Sequence, residues 1–238
     1  MRIPLQPAFI LHHRSYRETS LLLDVFTEEY GRIGLVARGV RQSRSKWRGL
    51  LQPFVPLLVS FQGKTELMTL QNAEPQGIPI HLQNECLLSG FYLNELMVRL
   101  LQKHDPHPQL YTIYRHTLLE LERAELQQKH LRLFEKNLLI EIGYGLQLQS
   151  TISDGKPLLA DRFYRFYPES GFELANSSQN EPKNWIFSGK SLLALRAEQL
   201  DDPESLQDAK RLMRLALGVL LGSEPLHSRK LFTGVTVT

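Results

Sequence analysis

The stretch Ser20-Leu21-Leu22-Leu23-Asp24-Val25-Phe26, followed by Thr27-Glu28-Glu29-Tyr30-Gly31 and then Arg32-Ile33-Gly34-Leu35-Val36-Ala37, decides the fold of the first part of the chain. The first run is rich in Leu and Val, the middle carries turn residues, and the last alternates charged or small with apolar side chains. This pattern predicts strand, turn, strand. Upstream, Ala8 to His12 is a short apolar run. Downstream, Phe54 to Phe61 is another, with Pro53 at its start and Pro56 inside it, which predicts an edge position or a bulge. Gln62-Gly63-Lys64 reads as a hairpin turn, and Glu66 to Leu70 alternates again. Five short strands in about 70 residues predict a small barrel.

The character changes at Glu74-Pro75-Gln76-Gly77-Ile78-Pro79, a natural linker. Beyond it the apolar spacing becomes helical. Leu93, Leu96, Met97, Leu100 and Leu101 share one face, ending before Pro106. Leu110, Tyr114, Leu118 and Leu121 line a second helix, and Leu131, Phe134, Leu138 and Ile142 a third, closed by Gly143 and Gly145. Thr151 to Trp185 is irregular, with a strand expected at Arg162 to Tyr167 and a partner at Gly171 to Leu174. Ser188 caps a further helix, and Pro203 opens the last, with Leu206, Ala209, Met213, Ala216, Leu217 and Leu220 facing inward. The fold class is α+β, with residues 1–78 as the barrel and 79–238 as a helical domain that carries a small β or irregular insert over 147–187.

The 238 residues are 42% hydrophobic and 22% charged, which is ordinary globular usage. No apolar window is long enough for a membrane helix, and the N-terminus does not read as a signal peptide. The one cysteine, Cys86, excludes an internal disulfide framework and reads as a small buried hydrophobe. A cytoplasmic location is the simplest expectation.

The net charge of +3 is unevenly spread. No acidic residue occurs from Tyr30 to Thr65, a span that holds Arg32, Arg38, Arg41, Arg44, Lys46, Arg48 and Lys64. The rest of the chain is therefore net negative, and one end is suited to a polyanion. Within that span, Arg38-Gly39-Val40-Arg41-Gln42-Ser43-Arg44-Ser45-Lys46-Trp47-Arg48-Gly49 lies between strands as a basic loop. Its cations can neutralise phosphates, its glycines let backbone N–H groups approach, and Trp47 can stack on an unpaired base. The loop equally fits a solvated surface with Trp47 packed as a core anchor. The absence of acids favours binding, because ordinary surface loops mix both signs. Arg14 joins these residues as a DNA-contact candidate.

Catalytic constellations are absent from the sequence. Gly189-Lys190-Ser191 resembles the end of a phosphate-binding loop, but Asn184 stands where that motif needs glycine, so the segment reads as a helix cap and first turn. His104-Asp105-Pro106-His107 shows no third metal ligand nearby and reads as exposed turn histidines. Asp201-Asp202 reads as a helix start. No metal, cofactor or enzymatic activity is expected. The competing expectations are a small metal-dependent nuclease with ligands gathered in space, and an adaptor that binds only proteins.

The run Glu18 to Glu29, Gly31-Arg32, Ala37-Arg38-Gly39-Val40-Arg41, Leu51-Gln52-Pro53-Phe54 and Ala73-Glu74 resembles the RecO family of bacterial recombination mediators. So do Tyr92-Leu93-Asn94-Glu95-Leu96, Leu131-Arg132-Leu133-Phe134-Glu135, Gly143-Tyr144-Gly145, Ala209-Lys210-Arg211, Pro225-Leu226, Ser228-Arg229 and Leu231-Phe232. The resemblance implies an N-terminal OB-fold, a helical domain and a small inserted module. It implies recombinational DNA repair in the RecF pathway: binding of single- and double-stranded DNA, strand annealing and, with RecR, loading of RecA onto DNA covered by single-stranded-DNA-binding protein. That work would place the protein at the nucleoid. The resemblance also implies a pocket in the helical domain for the acidic tail of that protein, and the matching segment offers Arg132 beside Leu131 and Leu133. Two departures stand out. The inserted module lacks the four zinc-binding cysteines of several members, and His227 stands where similar proteins often have Lys, which puts any contact of that cation in doubt.

Overall fold

A computed structural model of the protein describes residues 2–47, 49–123, 127–175 and 183–228. Five strands come first: β1 (Arg2–Tyr16), β2 (Ser20–Thr27), β3 (Gly31–Ala37), β4 (Leu57–Gln62) and β5 (Leu67–Pro75). They close into a barrel in the order β1-β2-β3-β5-β4, with every pair antiparallel except β3 and β5. This is the OB-fold expected from the sequence. β1 is much longer than its apolar run Ala8 to His12, because its exposed polar half continues the ladder with β2 as far as Tyr16 opposite Ser20. Pro56 lies just before β4 rather than inside it, so it costs no ladder hydrogen bond.

Period-two alternation puts Ile10, Leu23, Val25, Ile33, Leu35, Val59 and Phe61 into the barrel interior. The neighbours Phe9, Leu11 and Phe26 are also buried, so β1 and β2 are covered on their outer face too. The cover is α1 (Asn84–Leu100) and α2 (Pro108–Glu122). Phe9 meets Tyr114 edge-on at 5.2 Å, and Asn94 links the layers by donating to the Leu11 carbonyl (2.9 Å) while accepting from the Tyr114 hydroxyl (2.6 Å). Cys86 packs as a buried thiol on α1.

Next come α3 (Gln127–Glu141), β6 (Phe163–Tyr167), β7 (Gly171–Leu174), a single 3-10 turn (Lys183–Trp185), β8 (Ile186–Ser188), α4 (Gly189–Arg196) and α5 (Pro203–Leu221). β6 pairs with β7 as the sequence predicts, Tyr164 opposite Leu174, and β8 adds to its other edge. β8 is three residues long, too short to show alternation in sequence. Ser188 accepts from Ser191 N–H (3.1 Å) and Asp202 from Ser205 N–H (3.0 Å), so both expected helix starts are side-chain caps. Chain packing divides the protein into two compact units, Met1–Glu125 with Pro225–Thr238, and Leu126–Glu224.

One expectation is corrected here. His107 is not an exposed turn histidine. It is buried at the start of α2, with its Nε2 3.4 Å from Asp105, while His104 is exposed in the left-handed region at φ +61°.

Candidate nucleic-acid interface

The basic loop leaves β3 at Arg38 and returns to β4 at Leu57. Three of its apolar side chains, Val40, Trp47 and Leu51, enter the barrel core and tie it down. Gly39 takes φ +69°, a conformation cheap only for glycine, and the following chain folds into tight turns through Gln42 N–H to Gly39 O and Ser45 N–H to Gln42 O. Trp47 therefore serves as the core anchor. Its ring is 9% exposed and its Nε1 is buried without a partner, so it is not presented to a base. Arg48 lies outside the described residues.

Anchoring Trp47 inward turns the polar residues outward. Arg38, Arg41 and Arg44 are exposed, and among the described residues no acidic side chain pairs with any of them. Arg41 N–H donates to Thr19 O (2.9 Å) and its guanidinium to Arg17 O (3.3 Å), so the loop is stitched to the β1–β2 turn. That stitch brings exposed Arg14 and Arg17 to the same end of the barrel. Arg17 is a cation that charge-run reasoning misses, because it lies outside the acid-free span next to Glu18. Its own guanidinium lies 5.2 Å over the Tyr16 ring. Lys46 is exposed but partly engaged, 3.2 Å from Asn72 Oδ1 and 4.9 Å from the Trp47 ring centre.

Two candidates fall elsewhere. Lys64 lies in the β4–β5 turn, at the end of the barrel where Arg2 pairs with Gln62, away from the β1–β2 turn. In this fold those two turns flank the outer face of β2 and β3. Arg32 is committed inward, 3.1 Å from Asp24 Oδ1 and 3.1 Å from the Leu101 carbonyl, with its side chain mostly buried.

In the second compact unit, Leu131 and Arg132 are buried and Leu133 is half-buried. Arg132 is 5% exposed and bonds Glu135 at 2.8 Å, and Glu135 has no solvent exposure. Arg132 is thus a buried ion-pair partner rather than a rim cation. Lys210, Arg211 and Arg214 of α5 line a groove of about 730 Å³ together with Leu206, Asp208 and Leu215. Burial, and after it the neighbouring Arg214 and Arg132, hold the Lys210 ammonium below its ordinary value. An apolar floor under crowded cations favours an anionic ligand with an apolar end. The adjoining β-module is held by aromatic packing: Phe166 on Phe172 (5.2 Å), Phe166 stacked on Trp185 (6.4 Å) and Arg211 over Phe187 (4.5 Å). Among the described residues no cluster of His, Cys, Asp or Glu could hold a metal ion, and no helix is long and apolar enough to cross a membrane.

Comparison with known proteins divides the chain earlier than the compact units do. Residues 1–78 match the sequence model of the family described as Recombination protein O N terminal, and residues 85–230 match that of Recombination protein O C terminal. The chain is 45% identical over 230 residues to the DNA repair protein RecO of Coxiella burnetii (strain RSA 331 / Henzerling II), covering 97% of this chain and 98% of that one. It is 47% identical over 232 residues to the DNA repair protein RecO of Nitrosococcus oceani, covering 97% and 93%, and 43% identical over 233 residues to that of Haemophilus influenzae, covering 98% and 97%.

Proposed function

The chain belongs to the RecO family of DNA repair proteins, and from that premise we propose that it is a recombination mediator that holds DNA on the barrel end formed by Arg14, Arg17, Arg38, Arg41 and Arg44. The observation that carries this reading is the set of exposed arginines without acidic partners, stitched together by Arg41. Such a surface attracts phosphates of single or double strands by neutralising charge and releasing counterions. Lys46 and Lys64 contribute peripherally, one on the loop and one at the opposite turn. Arg32 and Trp47 support the surface from within.

Annealing needs no nucleophile. A cationic surface that holds one strand lowers its repulsion for the complement, and base pairing supplies the free energy. The groove between Leu206 and Leu215, with Lys210 and Arg214 at its rim, suits the acidic tail of single-stranded-DNA-binding protein, which ends in a phenylalanine. In this reading Leu131, Arg132 and Leu133 act from the helix that supports the groove. RecR is the further partner, and loading of RecA onto nucleoid DNA is the outcome. The test is annealing of complementary oligonucleotides coated with single-stranded-DNA-binding protein. The wild type should accelerate annealing, and the combined Arg38→Ala, Arg41→Ala, Arg44→Ala variant should not. Equal rates would refute the assignment.

A further inference from the structure

Strand β1 changes partners along its length. Arg2 to Ala8 pair with β4, and Ala8 to Tyr16 pair with β2. Past Ala8, the flank that β4 occupied is therefore open. Phe9 to Leu11 are buried there, and Asn94 takes the Leu11 carbonyl. His12, His13, Arg14 and Ser15 have no such cover. All four are exposed, and Tyr16 is half-buried beneath the Arg17 guanidinium. Among the described residues, no hydrogen bond reaches this backbone from the side away from β2. Five residues of extended chain present about 17 Å of unsatisfied sheet edge.

Such an edge is a template for another strand, and proteins blunt it with charge. Here the charge has one dominant sign. Arg14 and Arg17 carry it on or beside the edge, with His12 and His13 as neighbours; burial, and after it His12, hold the His13 imidazole below its ordinary value, while Asp24, opposite His12, is engaged by Arg32. Glu18, exposed in the β1–β2 turn, is an acidic side chain at the end of the edge. A cationic edge repels a second copy of itself and attracts an acidic strand. Phosphates can accept from the edge N–H groups but have nothing to donate to the edge carbonyls, whereas an extended peptide satisfies both. We propose that the His12–Tyr16 edge of β1 docks an extended acidic segment of a partner protein by strand addition. This ligand is distinct from DNA and from the tail peptide of the groove, although the edge shares Arg14 and the neighbouring Arg17 with the barrel end assigned to DNA.

The experiment uses the full chain and a labelled peptide of alternating Glu and Val, with a second peptide of the same sequence N-methylated at alternate residues. The unmodified peptide should slow hydrogen exchange of those His12–Tyr16 amides that face away from β2 by about tenfold or more, and N-methylation should weaken binding by about tenfold, the effect of losing one or two hydrogen bonds. Arg14→Glu should weaken the unmodified peptide similarly, with Arg14→Gln as a milder variant and circular dichroism confirming the fold. Equal binding of the two peptides, or edge amides already protected in the free protein, would overturn the proposal. So would slowing by oligo-dT equal to that by peptide, or slowing that grows with protein concentration alone; these results would assign the edge to nucleic acid or to a second copy. Oligo-dT affinity of the combined Arg38→Ala, Arg41→Ala, Arg44→Ala variant, whose changes lie outside the edge, reads the DNA assignment separately from peptide binding.

Discussion

The Phe54 ring sits directly on Gly90 of α1, so that a methyl group at Gly90 would come within 2.8 Å of the ring and 2.5 Å of Leu82 Cδ1. Phe54 itself is buried at φ +66°, a costly conformation for a bulky residue, and its carbonyl accepts from Ile80 N–H at 3.0 Å. The end of the basic loop is thus clamped against the helix layer. In an open helix, Gly90→Ala would stabilise by up to about 1 kcal/mol. Here the clash reverses the sign, and Gly90→Ala should destabilise by about 1–3 kcal/mol. A urea melt decides it, because the two effects differ in direction.

The loop arginines should dominate the electrolyte dependence of DNA binding. Each phosphate contact on single-stranded DNA contributes about −0.7 to the slope of log K against log[salt]. Removing Arg38, Arg41 and Arg44 together should flatten the slope by about 2. Lys64→Ala, at the far turn, should change it by well under 1. A fluorescence titration with oligo-dT at several salt concentrations checks both, and an equal effect from Lys64 would contradict the geometry.

Trp47 should act through packing rather than stacking. Trp47→Phe keeps the ring and removes a buried N–H that has no partner, so it should cost less than about 1.5 kcal/mol and leave DNA affinity within twofold. Trp47→Ala should cost about 3–5 kcal/mol. Large loss of affinity in a stably folded Trp47→Leu protein, which has no ring to stack, would restore the stacking role.

Arg132→Ala removes an ion-pair partner of a carboxylate that water does not reach, and should destabilise the second unit by about 3–5 kcal/mol. Arg132→Met with Glu135→Leu should recover most of that loss. Lys210→Ala should instead weaken an acidic tail peptide ending in phenylalanine by about tenfold without lowering the melting temperature. Peptide anisotropy beside a thermal melt separates the two residues.

Glu95 accepts from His227 N–H (2.7 Å), Ser228 N–H (2.8 Å) and the Ser228 hydroxyl (2.6 Å). Burial pushes its carboxyl up, but the Ser228 hydroxyl and the two backbone donors outweigh this, and the net shift is downward. A carboxylate held low in the folded state contributes stability above its unfolded value, and the contribution is lost as pH falls through the folded value. Glu95→Gln should therefore cost about 1–2 kcal/mol near neutrality, and the gap to wild type should close on acidification below the ordinary glutamate range. A gap that persists in acid would place the cost elsewhere. His227 meets Glu95 through its backbone N–H, so this hydrogen bond does not depend on the side chain.

The strands from Ser20 to Ala37 were legible because alternation and turn chemistry agreed there. The same rule misses where α1 and α2 pack. Phe9, Ile10 and Leu11 are consecutive apolar residues, and a strand buried on both faces reads as an unbroken run. That run was the signal that helices cover the barrel. Trp47 and Arg132 were harder. Charge neighbours suggest exposure, yet an indole flanked by cations can anchor a loop, and a guanidinium three residues from a buried carboxylate can follow it inside. Sequence gives the residue types of a surface and leaves to packing which of them face water.

The segment that Glu95 receives has a consequence in time. Unit one is discontinuous: α1 is complete by Leu100, but Leu226 and Ser228 follow the whole of Leu126–Glu224. At ribosomal speeds of about 5–20 residues per second, α1 is made roughly 5–25 s before its last partner. Throughout that interval the nascent chain holds a completed barrel sequence with an unanswered Glu95 carboxylate, and closure of the first unit waits on synthesis of the second.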